Sequence, residues 1–216
     1  MRASLLTPSE AAIVAGVTVR DINRVIDEKI LPEGFTTVED GRRVQLAACP
    51  LVGFYFRAAK ALTAEERLLL IHRFSERITG DMADHPFAGW SKADWTVRDG
   101  FLTVSLSDFV AEADDRSARL AAAREMVVED TAILGGTPVI RGTRIPVYDV
   151  VASLAAGFPR ERILAAYPGL DDTMVDLANR LRRGQPGARP APPLLTALPP
   201  DATITAERTV PRHRRE

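Results

Sequence analysis

Residues that start and end helices are closely spaced over positions 7–46, and this spacing limits the possible folds more than any other feature. Thr7-Pro8 begins an apolar run that ends at Gly16, and Thr18 begins a second run that ends at Pro32. Threonine caps free helix amides, proline favours the first helical position and glycine favours the end. Two short helices are therefore predicted, and Asp40-Gly41 then predicts a tight hairpin.

Helix, turn, helix and hairpin, in this order, are the elements of a winged helix-turn-helix. In that fold the second helix enters the major groove of DNA, and the hairpin, or wing, lies along the phosphate backbone. Arginine pairs with guanine and asparagine with adenine, and arginine also suits phosphates. The alternative is a small helical pair with a merely solvated polar face. The candidate DNA-binding residues here are Arg20, Asn23 and Arg24 on the second helix and Arg42 and Arg43 on the wing.

The segment from Thr7 to Pro32 resembles the opening of MerR-type regulators. It lacks the arginine and tyrosine pair that those regulators usually carry in the second helix, so the resemblance is one of type rather than of membership. The resemblance implies a winged helix-turn-helix, which together with its following helices is expected to occupy residues 1–80.

Residues 81–126 are predicted to form a hairpin and a connecting helix. Two β-prone runs flank Asp99-Gly100, and Ser107 is expected to cap a helix that continues to about Met126. This helix either joins two units or forms a dimer contact. Its acidic cluster is expected on a solvated face and consists of Glu112, Asp114 and Asp115.

Residues 127–183 carry the most specific pattern in the chain. They contain Leu-Gly-Gly-Thr-Pro-Val-Ile-Arg-Gly-Thr-Arg-Ile-Pro at 134–146, followed by three short helical patterns. A second helix-turn-helix unit is predicted, with Arg141 and Arg144 on an extended arm before its first helix. These two arginines either contact phosphates or a minor groove, or brace the loop by bonding backbone carbonyls.

This second unit resembles a widespread prokaryotic family of small helix-turn-helix domains whose function has long been unknown. Members are predicted antitoxins that are encoded beside toxins of the PIN-like ribonuclease class. The long form, with a preceding unit and a proline-rich tail, is similar to VapB-type antitoxins. The resemblance implies a type II antitoxin that binds a PIN-like ribonuclease toxin and represses its own operon.

The composition changes at residue 184, since seven of the 15 prolines lie beyond it. No periodic pattern survives there, which predicts a disordered tail over 184–216. Such a tail can fold on a partner, and an arginine placed among the metal-binding acids of a ribonuclease would pair with their carboxylates. The alternative is an inert, solvated tail. The candidate toxin-binding residues are Leu194, Leu195, Leu198, Arg208, Arg212 and Arg214.

Several patterns argue against catalysis, cofactors and membranes. His72, His85 and His213 are far apart and in no metal-binding motif, and no nucleophile motif occurs, so we expect no metal, no cofactor and no enzyme. Cys49, the single cysteine, cannot form an internal disulfide and is expected to be a buried apolar residue rather than a reactive thiol. No signal peptide or apolar run of about 18 residues occurs, which favours the cytoplasm.

The sequence thus predicts a mainly α fold with small β-hairpins, two helix-turn-helix units, the first winged, and a disordered C-terminal tail. The leading hypothesis is an antitoxin that binds a toxin and operator DNA, as a homodimer because paired half-sites add affinity. The net charge of −1 leaves nucleic-acid binding to local arginines. One alternative is a stand-alone transcriptional regulator that senses a ligand in an apolar pocket within 47–106. Another is an adaptor that binds only protein.

Overall fold

The computed structural model of the chain describes residues 5–39, 41–78, 86–87, 89–99 and 102–184. These residues form two compact units, one containing residues 5–120 and the other 121–182. Both are mainly helical with short strand pairs, which confirms the predicted fold class. No helix in the described part of the chain is long and apolar enough to cross a membrane.

The helices of the first unit begin where the sequence places their caps. In α1 (Pro8–Ala15), α2 (Val19–Asp27) and α4 (Ala64–Ser75), a threonine hydroxyl accepts a hydrogen bond from the amide of the third helical residue, whose carboxylate accepts one from the threonine amide in return. This reciprocal capping satisfies two amides that the first turn leaves free. The two predicted caps, Thr7 and Thr18, are confirmed, and Thr63 caps α4 in the same way. The helices are α1 Pro8–Ala15, α2 Val19–Asp27, α3 Cys49–Arg57, α4 Ala64–Ser75 and α5 Ser107–Glu125.

Two antiparallel sheets accompany these helices. A three-stranded sheet has the order β1-β3-β2, and a separate pair is formed by β4 and β5. Both predicted hairpins are confirmed, although the first is less tight than predicted, with five residues between Thr37 and Arg43. Residues 40, 100 and 101 lie outside the described residues. The strands are β1 Leu5–Leu6, β2 Thr36–Thr37, β3 Arg43–Gln45, β4 Thr96–Asp99 and β5 Leu102–Ser105.

One hydrophobic core holds the first unit together, and residues from the 81–126 segment belong to it. Trp90, Trp95 and Leu106 are buried in the same cluster as Ile22 and Phe54. Residues of the segment 81–126, which the sequence predicts as separate, therefore share one hydrophobic core with the winged unit.

The start of α5 differs from the prediction. Ser107 lies inside the helix, and its amide donates to the Ser105 hydroxyl at 3.2 Å. The hydroxyl that accepts from an amide at the helix start therefore belongs to Ser105 rather than to Ser107. Ser105 is the last residue of β5, so the end of this strand places its side chain next to the first turn of α5.

The second unit contains a short strand pair followed by three helices. Strands β6 Val127–Val128 and β7 Val139–Ile140 are antiparallel, a pairing that the sequence did not predict. The three predicted helices are present as α6 Val147–Ala155, α7 Arg160–Ala166 and α8 Asp172–Gly184. Their inner faces form a second core that includes Val150, Ile163 and Val175, and Ile140 of β7 belongs to the same core.

Candidate nucleic-acid interface

The turn between α1 and α2 is built on Gly16. Its φ of 71° lies in the left-handed region, which glycine adopts without steric cost, and its amide donates to the carbonyls of Ala12 and Ile13. Val17 and Thr18 then lead directly into α2. This geometry produces the tight corner of a helix-turn-helix.

Helix α2 has one buried and one exposed side. Ile22, Val25 and Ile26 are buried against the core, while Arg20 and Arg24 are exposed and Asn23 is half-buried. Apolar residues at helical spacing fix which side is turned outward. The three candidate base-contacting residues of α2 are therefore all accessible or partly accessible from one side of the helix.

The wing is tied to α2 through Arg42. Its Nη1 donates to Asn23 Oδ1 at 3.1 Å and to Asp27 Oδ2 at 3.2 Å. Its Nη2 lies 2.8 Å from Asp27 Oδ1, with the side chains of Arg42 and Asp27 45% and 57% exposed. The structure thus brings together two predicted DNA-binding residues, one from the wing and one from α2, that are 19 positions apart.

The other candidate arginines of this unit differ in their surroundings. Arg24 forms an ion pair with Glu28 one turn later, at 2.8 Å, and this bond raises the pKa of the Arg24 guanidinium. Arg43 donates to the carbonyl of Arg42 at 2.9 Å. The Arg20 side chain is exposed and makes no hydrogen bond or ion pair with the residues that the structure describes.

Exposed ion pairs such as these contribute little to stability and exchange partners readily. The guanidinium groups of Arg42 and Arg24 can therefore turn from their carboxylates to phosphate oxygens or base edges. Asp27 and Glu28 remain beside them and reduce the positive potential of the surface. The arrangement suits selective contact with a few groups more than strong nonspecific attraction.

In the second unit, Arg141 braces the backbone. Its Nε and Nη2 both donate to the Glu125 carbonyl, at 2.9 and 2.6 Å, while its amide donates to the Met126 carbonyl. Arg144 is exposed and has no hydrogen-bond or ion-pair partner in the described part of the chain. Of the two roles predicted for this pair, the structure shows carbonyl bonding for Arg141.

Two aspartates on α8 are occupied within the second unit. Arg160 Nη1 lies 3.1 Å from Asp172 Oδ1, and Arg160 also pairs with Asp176. The pKa of the Arg160 guanidinium is raised, mainly by Asp176 and then by Asp172. These contacts join α7 to α8 at the surface. The two carboxylates offset the charge of Arg160, so this side of the unit is not basic.

The remaining predicted sites are not represented in the described residues. The candidate toxin-binding residues lie beyond residue 184 and so outside the described part of the chain. His85 and His213 also lie outside the described residues. Within the described ranges, no three histidine, cysteine or acidic side chains are placed to hold a metal ion.

Sequence reasoning missed a network that supports the helix-turn-helix. Glu112 on α5 accepts from Arg57 at 2.6 Å and from Arg116 at 2.8 Å, and Arg116 reaches the carbonyl of Val14 at 3.4 Å. The sequence predicts Glu112 on a solvated face, whereas its side chain is 36% exposed and its carboxylate is paired with both arginines. Only the four-residue spacing of Glu112 and Arg116 signals this pair in the sequence, because the other contacts join distant segments.

The structure also contains a cavity that no sequence pattern locates. Its volume is about 450 Å³, and it lies between Trp90, Trp95 and the first turns of α5. The region expected to sense a ligand was 47–106, whereas this cavity is lined by residues from 87 to 118.

The fold and the surface around α2 define a helix-turn-helix protein with a wing and a second small helical unit. Residues 127–180 match the family described as Protein of unknown function (DUF433), which agrees with the small-domain resemblance of this segment. The chain is 46% identical over 213 residues to Uncharacterized protein y4eO of Sinorhizobium fredii (strain NBRC 101917 / NGR234), covering 99% of this chain and 96% of that protein. The chain therefore belongs to the family of that rhizobial protein. No solved structure matches the chain.

Proposed function

We propose that this protein is a cytoplasmic, homodimeric antitoxin that represses its own operon through the winged unit and covers a PIN-like ribonuclease toxin with its C-terminal tail. The observation that carries the DNA-binding part is the contact of Arg42 with Asn23 and Asp27. It holds a wing arginine beside the accessible side of α2, where a phosphate and a base edge would meet.

In this proposal, groups of the DNA replace the partners that Arg42 has within the protein. Arg42 exchanges the Asp27 carboxylate for a phosphate oxygen and releases the Asn23 side chain, which then pairs with adenine. Arg20 needs no release and supplies a further contact. The acidic residues near this surface repel phosphates, so a DNA sequence that does not supply the matching hydrogen bonds binds more weakly. These residues therefore favour specificity over affinity.

Binding to the promoter region of the protein's own gene tests the DNA-binding part. Arg42→Ala is expected to weaken binding about tenfold and to lower the slope of log affinity against log salt concentration by about one. Arg98→Ala is the matched control, because the Arg98 side chain is exposed on β4 and makes no hydrogen bond or close ion pair with the described residues. Equal affinities for the two variants would contradict the proposed interface.

The antitoxin part rests on the resemblance of residues 134–183 and on the composition of the tail. Co-expression with the product of the adjacent gene tests it, using the full chain, a chain ending at Gly184, and Arg208→Ala/Arg212→Ala/Arg214→Ala. We expect the full chain to restore growth and to co-purify with the toxin, and both variants to fail. Rescue by the shortened chain would overturn the tail-based mechanism, and a harmless neighbour that does not co-purify would overturn the antitoxin.

The cavity beside α5 favours a second candidate function, a ligand-responsive transcriptional regulator. Its volume of about 450 Å³ lies within the usual range of small-molecule sites. This candidate predicts that a bound small molecule changes affinity for the promoter and that the tail can be removed without loss. The co-expression experiment separates the two functions, since only the antitoxin requires the tail.

A further inference from the structure

Helix α4 carries an apolar patch on its solvent side. Leu70, Ile71 and Phe74 are buried and anchor the opposite side of the helix in the core of the first unit. Leu68 and Leu69, in contrast, are 38% and 44% exposed. Large apolar side chains that are exposed singly are ordinary on a protein surface, but these two leucines are adjacent and form one patch. Such a patch on an otherwise charged helix face is typical of a contact surface.

Charged side chains of opposite sign lie at the two ends of this patch. Glu65 is one turn before Leu69 and Arg73 is one turn after it, so all three lie on the same side of α4. Glu65 and Arg73 are exposed, and neither forms an ion pair or a side-chain hydrogen bond with the described residues. Their positions are about 12 Å apart along the helix axis, too far for them to pair with each other. Both charges are therefore available to a group outside this helix.

This face of α4 is complementary to a second copy of itself. A two-fold axis at Leu69 that makes two α4 helices antiparallel places Glu65 of each copy opposite Arg73 of the other. The leucines of both copies then meet in the middle, between the two pairs of opposite charges. A parallel arrangement would instead place like charges opposite one another at each end, which is unfavourable. The antiparallel pair has the apolar centre and the polar rim that protein interfaces share.

We propose that α4 is the homodimer interface and that two copies pair antiparallel through Leu68 and Leu69, with Glu65 of each copy bound to Arg73 of the other. This inference rests on the homodimer of the proposed function and assigns the surface that forms it. A helix of 12 residues is about 18 Å long, so the contact is small beside the roughly 1,200 Å² that stable interfaces bury. We therefore expect a reversible dimer with a dissociation constant in the micromolar range, which paired DNA half-sites stabilise further.

Sedimentation velocity of the full-length protein over a series of concentrations, without DNA or toxin, measures self-association directly. Leu68→Ser/Leu69→Ser is expected to raise the dissociation constant of the dimer at least about tenfold, because the apolar centre of the contact is lost. Val38→Ser is the matched control, since Val38 is 62% exposed but lies in the wing, just after β2. Circular dichroism of each variant establishes that it is folded.

Charge reversal tests the antiparallel pairing. Glu65→Arg and Arg73→Glu each create like charges at both ends of the contact, so each variant is expected to weaken its own dimer about tenfold. An equimolar mixture of the two variants restores opposite charges at both ends and should associate about as tightly as the wild type, a recovery that no change within one monomer can produce. The double variant Glu65→Arg/Arg73→Glu should also recover, although both changes oppose the dipole of α4 and lower its helix stability.

The outcomes separate this interface from the proposed function. A dimer that none of the α4 variants weakens would overturn the interface and leave the homodimer in place, whereas a wild type that stays monomeric at every concentration would overturn both. Weaker single variants that do not recover on mixing would refute the antiparallel pairing. If the leucine variant self-associates normally but no longer co-purifies with the product of the adjacent gene, the patch binds the toxin instead. DNA binding and toxin neutralisation are measured separately, by the promoter titration and by co-expression.

Discussion

The guanidinium of Arg116 on α5 lies directly against Gly16 in the turn between α1 and α2. A Cβ at position 16 would be 2.6 Å from Arg116 Nη1, and this nitrogen donates to the Val14 carbonyl at 3.4 Å. Helix α5 therefore supports the helix-turn-helix corner with one side, while another side lines the cavity beside Trp90 and Trp95. A change in the position of α5 would act on the corner between α1 and α2 through this contact.

Gly16→Ala is expected to destabilise the first unit by about 1–2 kcal/mol through the positive φ, and by about 1 kcal/mol more through displacement of Arg116. Gly34→Ala is the matched control, because Gly34 also has a positive φ but nothing within 4 Å of its Cβ position. Urea unfolding followed by tryptophan fluorescence measures the difference. If the two variants lose equal stability, Arg116 does not constrain the turn.

Asp27→Asn is expected to strengthen promoter binding roughly two- to fivefold. The change frees Arg42 from its ion pair and removes a negative charge beside the DNA, effects that together correspond to the free energy of an exposed pair. Titrations at two salt concentrations measure the effect, and Glu129→Gln at an exposed position of the second unit provides the control. Weaker binding by Asp27→Asn would indicate that Asp27 itself contacts a base.

Burial raises the pKa of the Cys49 thiol far above its ordinary value. The folded protein therefore keeps the proton that the unfolded chain loses, so this group's stabilising contribution is complete below about pH 8.5 and decreases as the pH rises further. We expect native Cys49 to react with a thiol reagent at least about 100-fold more slowly than in urea. The decline in stability above pH 8.5 should be shallower in Cys49→Ala, by at most about 1.4 kcal/mol per pH unit. Equal slopes would contradict this assignment.

Arg141→Ala is expected to destabilise the second unit by about 1 kcal/mol, because the Glu125 carbonyl loses two donors. Arg144→Ala, at an exposed arginine on the same arm, should leave stability unchanged. Hydrogen exchange of residues 126–141 measures local opening without interference from the first unit. Faster exchange in Arg144→Ala than in Arg141→Ala would reverse the two roles.

The helices and hairpins could be predicted because their signals are local. Thr18 and Asp21 cap α2 across three positions, and the periodic Ile22 and Ile26 assign its buried side. The same local logic places α6, α7 and α8 within one or two residues. Local signals did not predict the β6–β7 pair, because a loop of ten residues separates two strands of only two residues each.

The sequence by itself determined the elements of this protein and the set of arginines from which a DNA-binding surface can be built, because capping, periodicity and turn preference act over a few neighbouring residues. Only the tertiary structure decided which of these arginines are engaged. Arg42 meets Asp27 and Arg141 meets the Glu125 carbonyl across 15 and 16 positions. The cavity likewise joins Trp90 to Asp114. Such contacts depend on how whole elements lie against one another, and no local pattern encodes that arrangement.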